Sequence, residues 1–368
     1  MEQAIPIGHH SSTWQVQEDL EAGLQGIMAV REVNVEREPP FTVVFTGHLL
    51  CDAETALPIL EQRFASVGCV PLIRRHGQDD MIVAVEHTAR VGRQRVWLNL
   101  LLFGATFVTT TAAGAALVGA DVWRNPVAIL EGLPFSLTLL AILVTHELGH
   151  YFMGKWHGVH VSLPYFIPMP FSILGTFGAF IQMNGPIRNR RQLFDVGFAG
   201  PLAGFVVALP LFILGLLWSE VTRPSFGMMV VGLGDSLLTA LLKGLLQPTL
   251  VGQTLEWHPV AIAAYFGILL TGVNLLPAGQ LDGGHISYAL FGRAARPVAV
   301  VTLAILVLMG MLVWRGWYIW AGFIFLSGLR HPTPLDDVTK LDRARVLIGV
   351  GAFVLFALTL IPAPFPNS

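Results

Sequence analysis

Charged side chains make up only 12% of the 368 residues, about half of the ~25% usual in a water-soluble domain. With 54% apolar residues, that shortage excludes an ordinary soluble enzyme and points to a membrane protein. Cysteine is nearly absent too. Cys51 and Cys69 are too few for a disulfide framework or a cysteine zinc cage, and both read as small core residues. No basic run is long enough to hold a nucleic acid, and a net charge of −2 gives no pull toward a phosphate backbone. The first forty residues have no basic segment followed by an apolar one, so no cleaved signal peptide is expected and insertion should start from an internal helix. Repeated halves, common in carriers, are not visible.

The apolar residues are gathered into long runs. Residues 96–120, 134–156, 194–218, 258–276, 297–313, 316–329 and 346–361 read as spans, since about 20 apolar residues cross a ~30 Å hydrocarbon core. The fold class is therefore an α-helical polytopic membrane protein of about seven transmembrane helices. With a cytoplasmic N-terminus, thirteen basic residues from Arg90 and Arg93 through Arg345 fall in inside loops, against Arg124, Arg223, Lys243 and Arg315 outside, which obeys the positive-inside rule. The stretch 228–246, interrupted by Asp235 and Lys243, reads as a surface or partly inserted helix.

Three domains follow. Residues 1–40 are polar, end at Pro39-Pro40 and read as a mobile tail with one short helix near 17–29. Residues 41–88 alternate as strand, helix, strand, strand around a hairpin loop at His76-Gly77-Gln78-Asp79-Asp80, a small βαββ (α+β) soluble domain. It serves either as a recognition module or as a packing appendage, since fold alone does not decide. Residues 96–362 are the membrane domain, with a core at about 134–292.

Within that core, 158–189 is apolar but punctuated by Pro164, Pro168, Pro170, Gly175, Gly178, Gly185 and Pro186, too broken for a straight helix. Its piece 173–183 carries aromatic and β-branched residues among glycines, which predicts a membrane-associated β-hairpin or re-entrant segment. Its open edge, around Gly175, Phe177 and Gly178, is the candidate substrate-binding strand.

The run 134–156 contains His146-Glu147-Leu148-Gly149-His150. Residues four apart share a helix face, so both histidines can aim ring nitrogens at one metal ion, and Glu147 points about 100° round, near enough to deprotonate a metal-acidified water. Five-residue patterns do arise by chance. Two histidines and a glutamate inside a membrane-spanning helix, however, are expensive to desolvate and normally mark function.

A catalytic zinc takes three protein ligands, so a partner must come from elsewhere. Asp282 is the strongest candidate. It follows a helix break at Pro277 and sits beside Gly283 and Gly284, and broken backbone at membrane depth must line a cavity or be buried in protein. Its alternative is a turn residue capping a helix that begins near His285. Asn274 either polarises a carbonyl or makes an interhelical hydrogen bond. Ala199-Gly200-Pro201-Leu202-Ala203-Gly204 reads as small-residue helix packing, and His157, His160 and His285 as ordinary polar residues.

HELGH in one helix, with Asn274-Leu275-Leu276-Pro277 and Leu281-Asp282-Gly283-Gly284 in a later one, resembles the site-2 protease family of intramembrane zinc metalloproteases. The soluble domain and the run Gly175 to Phe180 resemble the subgroup of chloroplast members and their bacterial relatives, while no PDZ-like insertion is apparent. The resemblance implies one zinc ion per chain on His146, His150 and Asp282, Glu147 as general base and Asn274 beside the scissile carbonyl. It implies transmembrane protein or peptide substrates, the lipid bilayer as solvent, and a bacterial inner membrane with a plastid membrane as the alternative. A metal-ion transporter using the same residues as a transit site is the rival function, in which Glu147 has no clear task.

Overall fold

The computed structural model describes residues 13–36, 42–86, 95–183, 185–222, 232–248 and 253–365. The expectations attached to Pro39, Pro40, Arg90, Arg93 and Arg223, and to the start of the 228–246 segment, lie outside them. The chain divides into two compact units, one formed by residues 1–92, 185–193 and 332–342 and the other by the remainder.

The first unit holds α1 (Thr13–Gly23), β1 (Met28–Glu36), β2 (Thr42–Leu49), α2 (Ala53–Ala65), β3 (Cys69–His76) and β4 (Asp79–Glu86). The strands form one antiparallel sheet in the order β1-β2-β4-β3. Alternation on β2 turns Val43 and Phe45 inward, and the 3.6-residue period of α2 buries Ala53, Ala56, Leu57, Leu60 and Phe64 against them. Val16, Leu20 and Leu24 enter the same core. Residues 13–36, read as part of a mobile tail, instead form α1 and β1 of this unit: α1 has a narrow apolar stripe, and β1 is an edge strand whose exposed, polar residues hide its pairing with β2.

Two pieces of the membrane domain's sequence also belong here. Leu335 is buried in this core, and Ile73 N–H donates to its carbonyl at 2.7 Å while Asp337 N–H donates back to the Ile73 carbonyl at 3.1 Å. Leu335 and Asp336 N–H donate to the carbonyls of Ile187 and Arg188, so the three stretches lie side by side. Arg188, Arg190 and Arg191, read as topology signals, face Glu61, Asp337 and Glu54 at 3.3, 2.9 and 3.0 Å.

The second unit is helical. It comprises α3 (Val96–Leu117), a 3₁₀ segment (Pro126–Gly132) running into α4 (Leu133–Trp156), the hairpin β5 (Tyr165–Pro168) and β6 (Thr176–Phe180), and α5 (Arg190–Leu217) from Phe194 onward. Next come β7 (Glu220–Thr222), α6 (Leu237–Leu246), β8 (Thr254–Glu256), α7 (Pro259–Asn274), α8 (Asp282–Phe291), α9 (Ala295–Leu312), α10 (Trp317–Ser327) and α11 (Arg343–Thr359).

Each of the seven runs read as spans contains a helix, but among the described residues four helices are long and apolar enough to cross a membrane: Val96–Leu117, Pro126–Trp156, Arg190–Leu217 and Asp282–Leu312. At 1.5 Å per residue α7 reaches about 24 Å and α10 about 16 Å. α7 is an interior helix. Ala263, Ala264, Tyr265 and Ile268 are fully buried in one cluster with Phe135, Leu139 and Phe212, and Ala261 is fully buried as well. The outer helices instead expose rows of Leu, Val, Ile and Phe, such as Leu100, Leu101, Phe103 and Val108 on α3 and Val301, Ile305, Leu308 and Leu312 on α9. Apolar surface of that extent belongs against lipid, and the chain is a membrane protein.

Candidate metal centre

The centre lies where α4 is crossed by α5 and met by the α7–α8 connection. α4 carries His146, Glu147 and His150, all buried. α7 ends at Asn274 because Pro277 cannot continue it, and the irregular turn that follows delivers Asp282. α8 begins at Asp282 itself, three residues earlier than expected, with Leu281 as N-cap. Asp282 therefore does not cap a helix beginning near His285. It sits in the first helical turn, where unpaired N–H groups and the positive end of the helix dipole favour a carboxylate.

The three side chains converge. Asp282 Oδ2 is 3.3 Å from His146 Nε2, Asp282 Oδ1 is 3.3 Å from His150 Nε2, and the two Nε2 atoms are 3.2 Å apart. Four ligands at 2.0–2.1 Å around a tetrahedral zinc stand about 3.3 Å from one another. His150 Nδ1 lies 2.7 Å from the Val196 carbonyl. A carbonyl only accepts, so Nδ1 carries the proton and the Nε2 lone pair points into the group, the outer support usual for a metal-bound histidine. A buried set of lone pairs and a carboxylate in this spacing fits a cation, and these residues can hold one.

The Val196 carbonyl is itself fixed. Its neighbour Asp195 accepts two hydrogen bonds from Arg345 at 2.7 Å and pairs with His157 Nε2 at 2.9 Å, tying the starts of α5 and α11 to the end of α4. Sequence reasoning treated Arg345 as a topology signal and His157 as an ordinary polar residue. Nothing local marks either as a support.

Gly200 and Gly204, read as helix-packing residues, pack against the two imidazoles. A Cβ on Gly200 would stand 2.0 Å from His150 Nε2, and one on Gly204 3.1 Å from His146 Cβ. The α5 glycines therefore make the space the imidazoles occupy.

Glu147 stays out of the converging group, and its carboxylate faces the Ile181 backbone amide, just past β6. Asn274 Nδ2 lies 3.3 Å from His146 Nε2, so its amide flanks the ligand atoms. His285 faces His331 Nε2 with its Nδ1 and His160 is exposed, so neither joins the group.

Of the candidate strand residues, Phe177 is exposed and Gly178 has open space and a φ of +104°, a kink that favours glycine. Gly175 is different. It lies in the turn before β6 with a φ of +74°, so close to α3 that a Cβ would meet the Thr109 carbonyl oxygen at 2.3 Å. The structure seats it against a helix and not on the exposed edge.

The family model described as peptidase family M50 matches residues 134–314. Among curated proteins the chain is similar to the probable zinc metalloprotease EGY2, chloroplastic, of Arabidopsis thaliana, 32% identical over 244 residues covering 64% of this chain and 42% of the relative. It is also similar to the probable zinc metalloprotease EGY1, chloroplastic, of the same plant, 34% identical over 239 residues covering 62% and 43%. A third is the EGY2 protein of Oryza sativa subsp. indica, 30% identical over 244 residues covering 64% and 44%. The chain spans less than half the length of these relatives. No solved structure matches.

Proposed function

We propose that this chain, whose residues 134–314 match the model of peptidase family M50, is an intramembrane zinc endopeptidase that hydrolyses a peptide bond in or next to the transmembrane segment of a membrane protein. The carrying observation is the tetrahedral spacing of His146, His150 and Asp282, with Glu147 and Asn274 beside it inside an apolar bundle. One zinc ion per chain, bound there, would supply the Lewis acid that acidifies water and polarises a carbonyl. The chain's own groups do the rest.

Glu147, facing the Ile181 backbone amide, takes the proton from the attacking water and passes it to the leaving amine. The Asn274 amide donates to the oxygen that becomes negative as the carbonyl carbon turns tetrahedral. A helical peptide hides its amides in its own hydrogen bonds, so the substrate unwinds locally and pairs as an extended strand with the β6 edge, at Phe177 and Gly178.

The composition of the first unit supports a seven-span topology. A compact body occupies one side of a membrane, so an even number of crossings separates residues 1–92 from 185–193, and 185–193 from 332–342. α3 and α4 supply two crossings, α5, α7, α8–α9 and α10 supply four, and α11 is the seventh. α10 is short for a span, which a locally thinned bilayer accommodates. The basic residues then put the first unit and the N-terminus in the cytoplasm. The membrane is bacterial inner or plastid, and the chloroplastic names of the relatives favour the plastid. The substrates are transmembrane proteins handled by regulated intramembrane proteolysis.

The test is cleavage of a transmembrane peptide in liposomes by the purified chain, its loss on chelation and its return with zinc. A zinc-loaded, folded chain that moves zinc ions across the bilayer and cleaves nothing would establish the transporter instead.

A further inference from the structure

Two polar side chains of α3 hold the hairpin at both ends. Asn99 donates its amide hydrogens to the carbonyls of Leu163, at 3.1 Å, and Pro164, at 2.9 Å, just ahead of β5. Thr109 Oγ1 lies 2.6 Å from the Gly175 carbonyl, just ahead of β6, closer than its other acceptors Ala105 and Thr106 at 3.1 Å. Ten residues of helix separate the two anchors, ~15 Å along the axis, so the hairpin is laid along α3. Between the anchors, the ring of Phe103 meets Phe166 of β5 edge-on at 5.1 Å.

The setting gives these bonds weight. The hairpin tip is apolar and exposed at Phe171, Ile173 and Phe177, which suits insertion among lipid chains, where a backbone carbonyl needs every available protein donor. The Gly175 carbonyl receives the Met169 N–H within the turn and the Thr109 hydroxyl from outside it. The anchor is firm, since Thr110 of α3 and Ser136 of α4 share a hydrogen bond of 2.6 Å. At the other end, β6 packs against α4, the helix that carries Glu147, and leads into Ile181, whose backbone amide faces that carboxylate.

We infer that Asn99 and Thr109 are positioning residues for the substrate strand: they fix the β6 edge along α3, so that an extended segment paired with it lies in register with Glu147. The inference rests on the protease reading for its substrate, but the latch itself is a property of the fold.

Thr109→Val keeps the shape and removes the hydroxyl, and Thr109→Ser keeps the hydroxyl. The measurements are amide hydrogen exchange over residues 165–181, zinc content, and KM, kcat and product masses for a transmembrane peptide. In Thr109→Val, loss of one hydrogen bond should speed hairpin exchange about 5–10-fold and raise KM about as much. Products should come from neighbouring bonds as well as the parent's, with zinc content and kcat held. Thr109→Ser should restore all of these, and Asn99→Leu should resemble Thr109→Val. Parent-like exchange in Thr109→Val, a Thr109→Ser variant as impaired as Thr109→Val, or loss of zinc from either would overturn the inference. A parent chain that cleaves nothing defeats the protease reading, while the exchange arm still decides the latch.

Discussion

Gly200→Ala sets helix propensity against the metal centre, and the two make opposite forecasts. In the middle of a helix, alanine is more stable than glycine by about 1 kcal/mol, so propensity alone makes the variant sturdier and leaves zinc untouched. The packing says otherwise. The added Cβ would stand 2.0 Å from His150 Nε2, 2.4 Å from Cδ2 and 2.5 Å from Cε1, against an ordinary contact of about 3.5–4.0 Å. Some 1.5 Å of clearance must therefore be found.

The ring cannot yield without loss. Its Nδ1 is held by the Val196 carbonyl at 2.7 Å and its Nε2 belongs to the ligand group, so rotation gives up one partner or both. Disturbing a support behind a ligand typically costs about 10–100-fold in metal affinity, and the expected loss for Gly200→Ala is at least that, with cleavage falling in step. Gly204→Ala is the control. Its nearest new contact is 3.1 Å, to His146 Cβ, which shifts of a few tenths of an ångström relieve, so affinity should stay within about threefold of the parent. Zinc content, competition with a chelator of known affinity and thermal unfolding in detergent decide the matter. A folded Gly200→Ala protein with parental zinc affinity would refute the claim that α5 glycines make room for the ligands.

Glu147→Gln should keep its zinc and lose about 10²–10⁴-fold in cleavage, as expected on removal of a general base, whereas Asp282→Ala should lose both; undiminished cleavage in the first, or full zinc with unchanged activity in the second, would mean the roles are misassigned. Topology is open to single-cysteine labelling: a cysteine at Gln253 should react with an impermeant reagent from outside and one at Asn189 should not, and equal reaction would remove the seven-span reading. In the first unit, burial, aided by the charge of Glu86, pushes the Cys69 thiol up from 9.0 to about 11. Between those values the unfolded chain gives up its proton before the folded one, so the unit should lose stability as pH rises from 9 to about 11. Cys69→Ala should lessen that fall in denaturant unfolding compared at pH 8 and 11, and an identical fall in both proteins would contradict the assignment.

How much of this was legible in the sequence depends on how far apart the interacting residues lie. Everything governed by local periodicity was readable: the helical pattern that gives His146, Glu147 and His150 one face, the apolar runs that place them in lipid, and the helix break at Pro277 that frees Asp282 and ends the helix at Asn274. The first unit was readable only where alternation was strong. β1 is an edge strand with most of its side chains in water, and such a strand shows its partner only through long-range hydrogen bonds.

Tertiary structure alone decided the rest. It brings Asn274 to His146 across 128 positions, sets the Val196 carbonyl behind His150 and clears the imidazoles with Gly200. It lays the hairpin on Thr109 and builds the first unit from three separated stretches. None of these has a spacing rule, because each is a meeting of surfaces distant in the chain, and a glycine that admits a ligand looks in sequence the same as one that admits another helix.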